Sequence, residues 1–292
     1  MKNLEQIKLL ADKLPKEVKA NALALVDRMG TVIEGIGDNP IEWRPEILKI
    51  LQGTSDRAKY GKNVPIGSII VGEDVLEQPL DIYPIRAWKA KQYWSPDQNE
   101  AKMLCSSPNA VMGYIGNVCK ECPHSKWEEG KGSECSQVIQ VAVITSDLSK
   151  FFIVNFSKTA YVTGTSWMTT MSKAGVLPYK RVYTLSTETH KQYKNVETLV
   201  VTSHKPSDKR TPDECIPFLD ALFAKFTADR TEHLEAFMQL AEARGKQVEN
   251  NKLTYQGDGD QAALPAAVGT AVEVEVAEAS GDQTVLAQKY SM

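Results

Sequence analysis

Four of the five cysteines, Cys105, Cys119, Cys122 and Cys135, fall within one short stretch, and the middle pair brackets Lys120 and Glu121 in a Cys-x-x-Cys knuckle. Two residues between cysteines let a tight turn aim both thiolates at one ion, and two thiolates from flanking segments complete a tetrahedral four-sulfur shell. A closed shell leaves no position for water, so the ion expected here, Zn2+, holds structure and performs no chemistry. His124, two residues after Cys122, is an alternative donor for one position. Free buried thiols or disulfides are the other account of the same cluster. Cys215 stands far away, before Pro217, and reads as a lone core or surface thiol.

Other chemistry is thinly represented. The chain has no glycine-rich phosphate loop closing on Lys-Ser or Lys-Thr, no His-Glu-x-x-His and no Gly-x-Ser-x-Gly. The four histidines, His124, His190, His204 and His233, are scattered. Acidic pairs such as Glu77 with Asp81, or Glu128 with Glu129, have nothing in their spacing to set them apart from solvated carboxylates. The expectation is a protein that binds and does not catalyse.

The elements that must position the cysteines are read from periodicity. Leu4 to Val32 has helical spacing interrupted by Pro15, so it predicts two short amphipathic helices. A helical turn through Ile47, Leu48 and Leu51 follows, ending at Gly53, and Ile66 to Val71 predicts a strand. Leu80 to Trp94 is too rich in aromatic and branched residues for a surface helix and predicts one long, bent strand. The cysteine module comes next as an excursion. Val138 to Ile144 and Phe151 to Phe156 predict a hairpin, Ala160 to Ala174 a helix closed by Gly175, and Lys180 to Thr187 with Val196 to Ser203 two more strands. Pro212 opens a helix to about Arg244, with Gly245 just beyond, and everything after Tyr255 lacks a packing period.

This order predicts an α+β fold, mainly β: an OB-like Greek-key barrel with an inserted zinc module, flanking helices and an acidic disordered tail. A generic mixed sheet with helices on one face is the alternative. The corresponding segments are a helical 1–60, a core 61–210 carrying the module at 105–135, a helix 211–246 and a tail 247–292.

An OB barrel binds single strands by stacking bases on aromatics while Lys and Arg meet phosphates. The residues that fit are Arg86, Lys89, Lys91 and Tyr93 on the long strand, Lys150 and Lys158 at the hairpin, and Lys180, Arg181, Lys191, Tyr193 and Lys194 on the later pair. Strand alternation places Tyr83, Ile85 and Ala87 on one face with Lys89, Lys91 and Tyr93, and Trp88 on the other face as core. Phe151, Phe152 and Phe156 read as core, and Trp127 as a cover for the zinc. Lys150 to Arg210 holds ten basic against three acidic residues, whereas residues 247–292 hold seven acids against two lysines. A basic body with an acidic tail is an arrangement in which the tail competes with a polyanion or recruits partner proteins.

The Cys-Ser-Ser-Pro-Asn run at Cys105, the Cys-x-x-Cys-Pro knuckle at Cys119 to Pro123, Trp127 and the closing Cys135, set between the aromatic strand and Val138 to Ile144, resemble bacteriophage-encoded zinc-containing single-stranded DNA-binding proteins. The likeness covers about a third of the chain, from Leu48 through Val154. It implies an OB-like core, coating and protection of single strands in replication or recombination, and an acidic C-terminal segment that contacts replication proteins. The tail departs from the bacterial pattern, ending Gln-Lys-Tyr-Ser-Met and not in an acidic run closing on phenylalanine. A zinc-stabilised interaction or transcription-regulating factor acting on polymerase or replication proteins, and a nuclease or recombination accessory, are the other classes.

At 292 residues and 42% hydrophobic content the chain is long enough for a substantial core. It has no apolar run of membrane-spanning length, and its first residues lack the apolar stretch of a signal peptide. A soluble protein of the cytoplasm, that of the host cell if phage-encoded, is expected.

Overall fold

The computed structural model describes residues 2–30, 32–33, 41–42, 45–53, 55, 60, 64–95, 103–127, 132–194, 196–205 and 207–254. The acidic tail beyond 254, Glu128 and Glu129 lie outside the described residues. The chain divides into two compact units, one of residues 1–89 and 137–231, the other of residues 90–136 and 232 onward.

The first unit opens with the two predicted helices, α1 (Lys2–Ala11) and α2 (Lys16–Met29), separated at Pro15, which lacks the N–H an ongoing helix would need. A short pair, β1 (Val32–Ile33) with β2 (Ile41–Glu42), follows. The main sheet takes β3 (Glu46–Ile50), β4 (Ile69–Val71), β5 (Asp74–Leu76), β6 (Leu80–Trp94), β7 (Met103–Ser107), β8 (Cys135–Thr145), β9 (Phe151–Ser157), β10 (Tyr183–Thr189) and β11 (Glu197–Ser203). Its order is β11-β10-β6-β8-β9-β3-β4-β5, with β7 paired to β6 off that path. Helix α3 (Tyr161–Lys173) links β9 to β10, and α4 (Ile216–Thr254) ends the described chain.

The turn predicted as helical at Ile47 to Leu51 is strand β3. Pairing decides it: β3 lies parallel to β9 on one side and antiparallel to β4 on the other, and ladder bonds on both edges override a local helical spacing. The sheet also curls. Gln52 in the chain leaving β3 donates from Nε2 to the Glu197 carbonyl and accepts from the Glu197 N–H, both at 2.9 Å, so the β11 edge meets the β3 end. Thr187 and Gln78 both donate to the Gly67 carbonyl, at 2.7 and 2.8 Å. The result is a mixed α+β architecture, mainly sheet, built on a curled eight-strand half-barrel with flanking helices.

Two cores follow from the two faces of this sheet. Inside the curl, Leu48, Ile69, Val71, Ile82, Val141, Val143, Phe152, Val154, Phe156, Leu185 and Leu199 converge with Trp167 and Met171 of α3. On the other face Tyr83, Ile85, Ala142, Ile144 and Phe151 pack under α1, α2 and the start of α4, including Ile7, Leu25, Phe218 and Leu222. Cys215 is buried there. Phe151, Phe152 and Phe156 are core as expected, each such burial being worth about 1.5–3 kcal/mol.

Strand β6 does not alternate without interruption. Tyr83 and Ile85 enter the helix-covered core, Ala87 packs with the inside of the curl, and Trp88 returns to the helix-covered side. The expected sharing of one face by Tyr83, Ile85 and Ala87 therefore fails, because the phase slips by one residue between Ile85 and Ala87. Strong bending in a long strand is commonly absorbed by such a slip.

Helix α3 approaches the sheet through Gly164. A Cβ there would lie 2.5 Å from Phe156 Cβ and 3.1 Å from Ile139 Cβ, while Trp167 sets its ring edge-on to Phe156 and Tyr183 at centroid distances of 5.7 and 5.5 Å. Alanine in an exposed helix would stabilise by about 1 kcal/mol over glycine; at this site overpacking costs about 1–3 kcal/mol and wins. Gly164→Ala is expected to lower the urea midpoint, and an unchanged or raised midpoint would contradict this packing.

Candidate functional site

The cysteine module belongs to the second unit and is organised by hydrogen bonds to its own backbone. Strand β7 pairs with the end of β6, bringing Cys105 opposite Tyr93 and Ser107 opposite Lys91. A turn held by Gly113 N–H to Asn117 O at 2.8 Å carries the chain back, and the Cys119 N–H reaches the Val111 carbonyl at 2.7 Å. The knuckle then winds so that the Glu121 and Cys122 N–H groups both donate to the Val118 carbonyl at 3.0 Å. Cys135 opens β8.

All four cysteines line one cavity of about 20 Å³, together with Lys91, Tyr93 and His124. That volume admits a single ion or water and no organic ligand. Cys119 and Cys135 are buried, and Cys105 and Cys122 half-buried. As placed, the sulfurs line the cavity without forming a coordination sphere: among the described residues no group of three His, Cys, Asp or Glu is arranged to hold an ion. The backbone thus gathers the donors, and the thiol side chains would have to converge further to share a metal. Burial pushes the Cys105 and Cys135 thiols up, so both are protonated at neutral pH in this arrangement.

His124 faces Glu134, Nδ1 to Oε2 at 2.6 Å, and stacks on Tyr93 with centroids 4.3 Å apart and planes 18° from parallel. One face of Tyr93, expected to meet bases, is therefore covered. Trp127 departs from expectation as well. It is 73% exposed and does not line the cysteine cavity. Its contact is the neighbouring turn, where a Cβ on Gly132 would come within 3.5 Å of the indole.

The later part of α4 belongs to this unit. The helix runs through Gly245 to Thr254, past the end predicted near Arg244. Gly245 serves close approach and not termination: a Cβ on Gly116, whose φ is +87°, would lie 2.5 Å from Gly245 Cα and 2.7 Å from the Ala241 carbonyl. Around this contact Arg244 stacks over Tyr114 at 3.6 Å, Tyr114 lies 6.4 Å from Phe237, and Asn109 Nδ2 donates to Met238 Sδ at 3.4 Å. The clasp was not legible in sequence, although a glycine inside an otherwise helical run is its one signal.

The predicted nucleic-acid residues are distributed over β6, the hairpin and the later strands. Lys89 is exposed and Lys91 half-buried beside the cysteine cavity. Lys150 is engaged by Asp74. Lys158 and Lys180 are exposed, and so are Lys191 and Lys194 in the β10–β11 turn, where Tyr193 stacks on His190 at 4.9 Å. Arg181 is half-buried, with its Nε buried and lacking a hydrogen-bond partner among the described residues. Arg86 sits near Arg230 of α4, a residue the sequence did not single out.

Asp81, which its spacing from Glu77 did not set apart from solvated carboxylates, has a structural task. Thr184 Oγ1 donates to it at 2.5 Å, Lys209 Nζ donates at 2.6 Å, and His204 Nε2 donates to the same Thr184 oxygen at 2.6 Å, tying β6, β10 and the chain after β11 together. Burial pushes the Asp81 carboxyl up, but these hydrogen bonds and the Lys209 charge outweigh it and hold it below the ordinary carboxylate range.

Because backbone and not a flexible side chain meets the added methyl, Gly116→Ala is expected to release the clasp. Amide exchange in residues 232–246 should accelerate while β8 and β9 keep their protection; unchanged exchange would contradict the contact. No family model matches the chain, and no curated protein and no solved structure shows significant similarity to it.

Proposed function

We propose that the protein is a single-stranded DNA-binding protein of the phage zinc-containing type, which coats and protects single strands during replication or recombination. The observation that carries this reading is electrostatic. Lys89, Lys91, Lys158, Lys180, Lys191 and Lys194 form no ion pair among the described residues, so no described carboxylate neutralises their charges. A polyanion gains affinity from such cations by releasing its own counterions. The parallel β3–β9 pair in an otherwise largely antiparallel, curled sheet supports an OB-like description of the core.

In this reading Cys105, Cys119, Cys122 and Cys135 hold a structural zinc, for which their all-sulfur donor set and single-ion cavity are suited. The ion supplies rigidity to the loop beside Lys91 and takes no part in chemistry. Binding requires the raised thiols to lose protons, so affinity for the metal falls as pH is lowered.

A second reading, a zinc-stabilised interaction or transcription-regulating factor, draws on the exposed Met103, Val111, Val118 and Trp127 of the module. Pull-down of protein partners from nuclease-treated lysate by a chain that fails to bind bare oligonucleotide would favour it.

The test is fluorescence anisotropy of a labelled single strand at low and high salt, beside a duplex of the same sequence. Expected are preference for the single strand, steep loss of affinity with salt, and a weaker, flatter salt response in Lys89→Ala/Lys91→Ala. No binding at low salt sinks the proposal; normal binding with an unchanged slope in the double variant moves the surface away from β6.

A further inference from the structure

The turn that joins β10 to β11 is closed twice by backbone, His190 N–H to the Val196 carbonyl at 2.7 Å and Val196 N–H to the Tyr193 carbonyl at 3.0 Å. Within it the His190 side chain supplies a further tie. Its Nδ1 accepts the backbone N–H groups of Gln192 at 3.2 Å and of Tyr193 at 3.3 Å. The same ring lies against that of Tyr193, with centroids 4.9 Å apart and planes 26° from parallel. Both rings are half-buried, so part of the stack faces solvent, and Lys191, Gln192 and Lys194 are exposed. Neither lysine forms an ion pair among the described residues.

These hydrogen bonds fix the protonation state of the imidazole. A ring nitrogen that accepts two N–H groups carries no hydrogen of its own, so His190 is neutral in this arrangement and its hydrogen is on Nε2. A proton added at Nδ1 would point a third donor at two others and break both bonds. The charged or titratable groups around the ring are Lys191, Tyr193 and Lys194 of its own turn, Glu188 of β10 and Glu197 of β11. Glu197 stands opposite Thr189 in the ladder and accepts from its Oγ1 at 2.9 Å. The chain leaving β3, which meets this end of β11, presents the neutral Gln52. Among the described residues Nδ1 bonds to backbone alone, so a proton on it finds no acceptor in place.

We propose that the β10–β11 turn is a contact for a single nucleic-acid strand, in which a base adds to the His190–Tyr193 stack between phosphates met by Lys191 and Lys194, and that neutral His190 is its positioning residue. The two bonds to Nδ1 hold the backbone of Gln192 and Tyr193 so that the tyrosine ring stays on the imidazole, with a lysine on either side of it in sequence. Stacking accepts any base, and each lysine meets a phosphate as a point charge. Protonation of His190 acts in two opposing directions. It adds one positive charge, which at about 0.1 M salt raises affinity for a single strand about fivefold. It also opens the turn, and the two lysines and the stacked base together are worth about a hundredfold or more. The loss is the larger, so this contact weakens on acidification. The assignment rests on the single-strand reading above and deepens it.

The experiment measures anisotropy on a single-stranded oligonucleotide at about pH 8 and about pH 5.5, the range over which histidines titrate, for the native chain, His190→Asn and His190→Ala. The amide signals of Gln192 and Tyr193 are followed by NMR over the same range. The Asn side chain offers an oxygen to N–H groups further along a turn and does not titrate, so this variant keeps the tie at both pH values. The other histidines and the cysteines also take up protons on acidification, which makes the Asn variant the reference. Expected are native-like binding by His190→Asn at the higher pH, a loss in the native chain at least about fivefold greater than in the Asn variant at the lower pH, and weak binding by His190→Ala at both. A histidine with a structural role alone would lower the stability of the Ala variant and leave the native and Asn binding profiles parallel. Parallel profiles, or a native chain that gains affinity over the Asn variant on acidification, overturn the proposal while the single-strand reading stands. If the native chain binds no oligonucleotide at either pH, that reading fails and the contact falls with it. Amide signals that move with pH in the native chain and not in the Asn variant then retain His190 as the holder of the turn, and signals that move alike in both overturn that as well.

Discussion

Strand β6 is the constraint on which the rest depends. Its fifteen residues pair with β10 and β8 and, at their far end, with β7, so one stretch of backbone takes part in the half-barrel and in the cysteine module. A strand that long twists, and here the twist is absorbed by the phase slip between Ile85 and Ala87. The slip has a chemical consequence. It turns Trp88 back to the helix-covered side, where Arg230 meets its ring.

Charge is handled differently in different places. Some cations are spent on the fold: Lys209 on Asp81, Lys150 on Asp74, Arg28 on the Ser149 carbonyl. Others have no ion pair among the described residues, and the buried Nη1 of Arg86 has no hydrogen-bond partner among them. Surface ion pairs contribute at most about 1 kcal/mol each, so the paired lysines matter chiefly as local ties. The unneutralised ones set the long-range field that a polyanion would meet.

Much of the architecture was legible because its signals are local. Pro15 separates two amphipathic helices, aromatic density marks β6, and the alternation of Phe152, Val154 and Phe156 marks a half-buried strand. The cysteine spacing located the cavity. What escaped depends on tertiary partners. Strand β3 is a strand only because β9 and β4 flank it, Gly245 continues a helix because Gly116 presses against it, and Trp127 stays exposed where a hydrophobic cover was expected. Arg230 is one charged residue on an amphipathic helix, and no spacing rule joins it to a strand residue more than a hundred positions away.

The claim that organises the functional account is that the four gathered thiols hold one structural zinc. Its most direct test is metal analysis of the purified chain alongside native-state thiol titration. The account predicts about one zinc per chain, four thiols silent until a chelator or acid removes the metal, and loss of the module's amide protection on removal. A metal-free chain whose Cys105 and Cys122 react freely, with the module's protection intact, would contradict it.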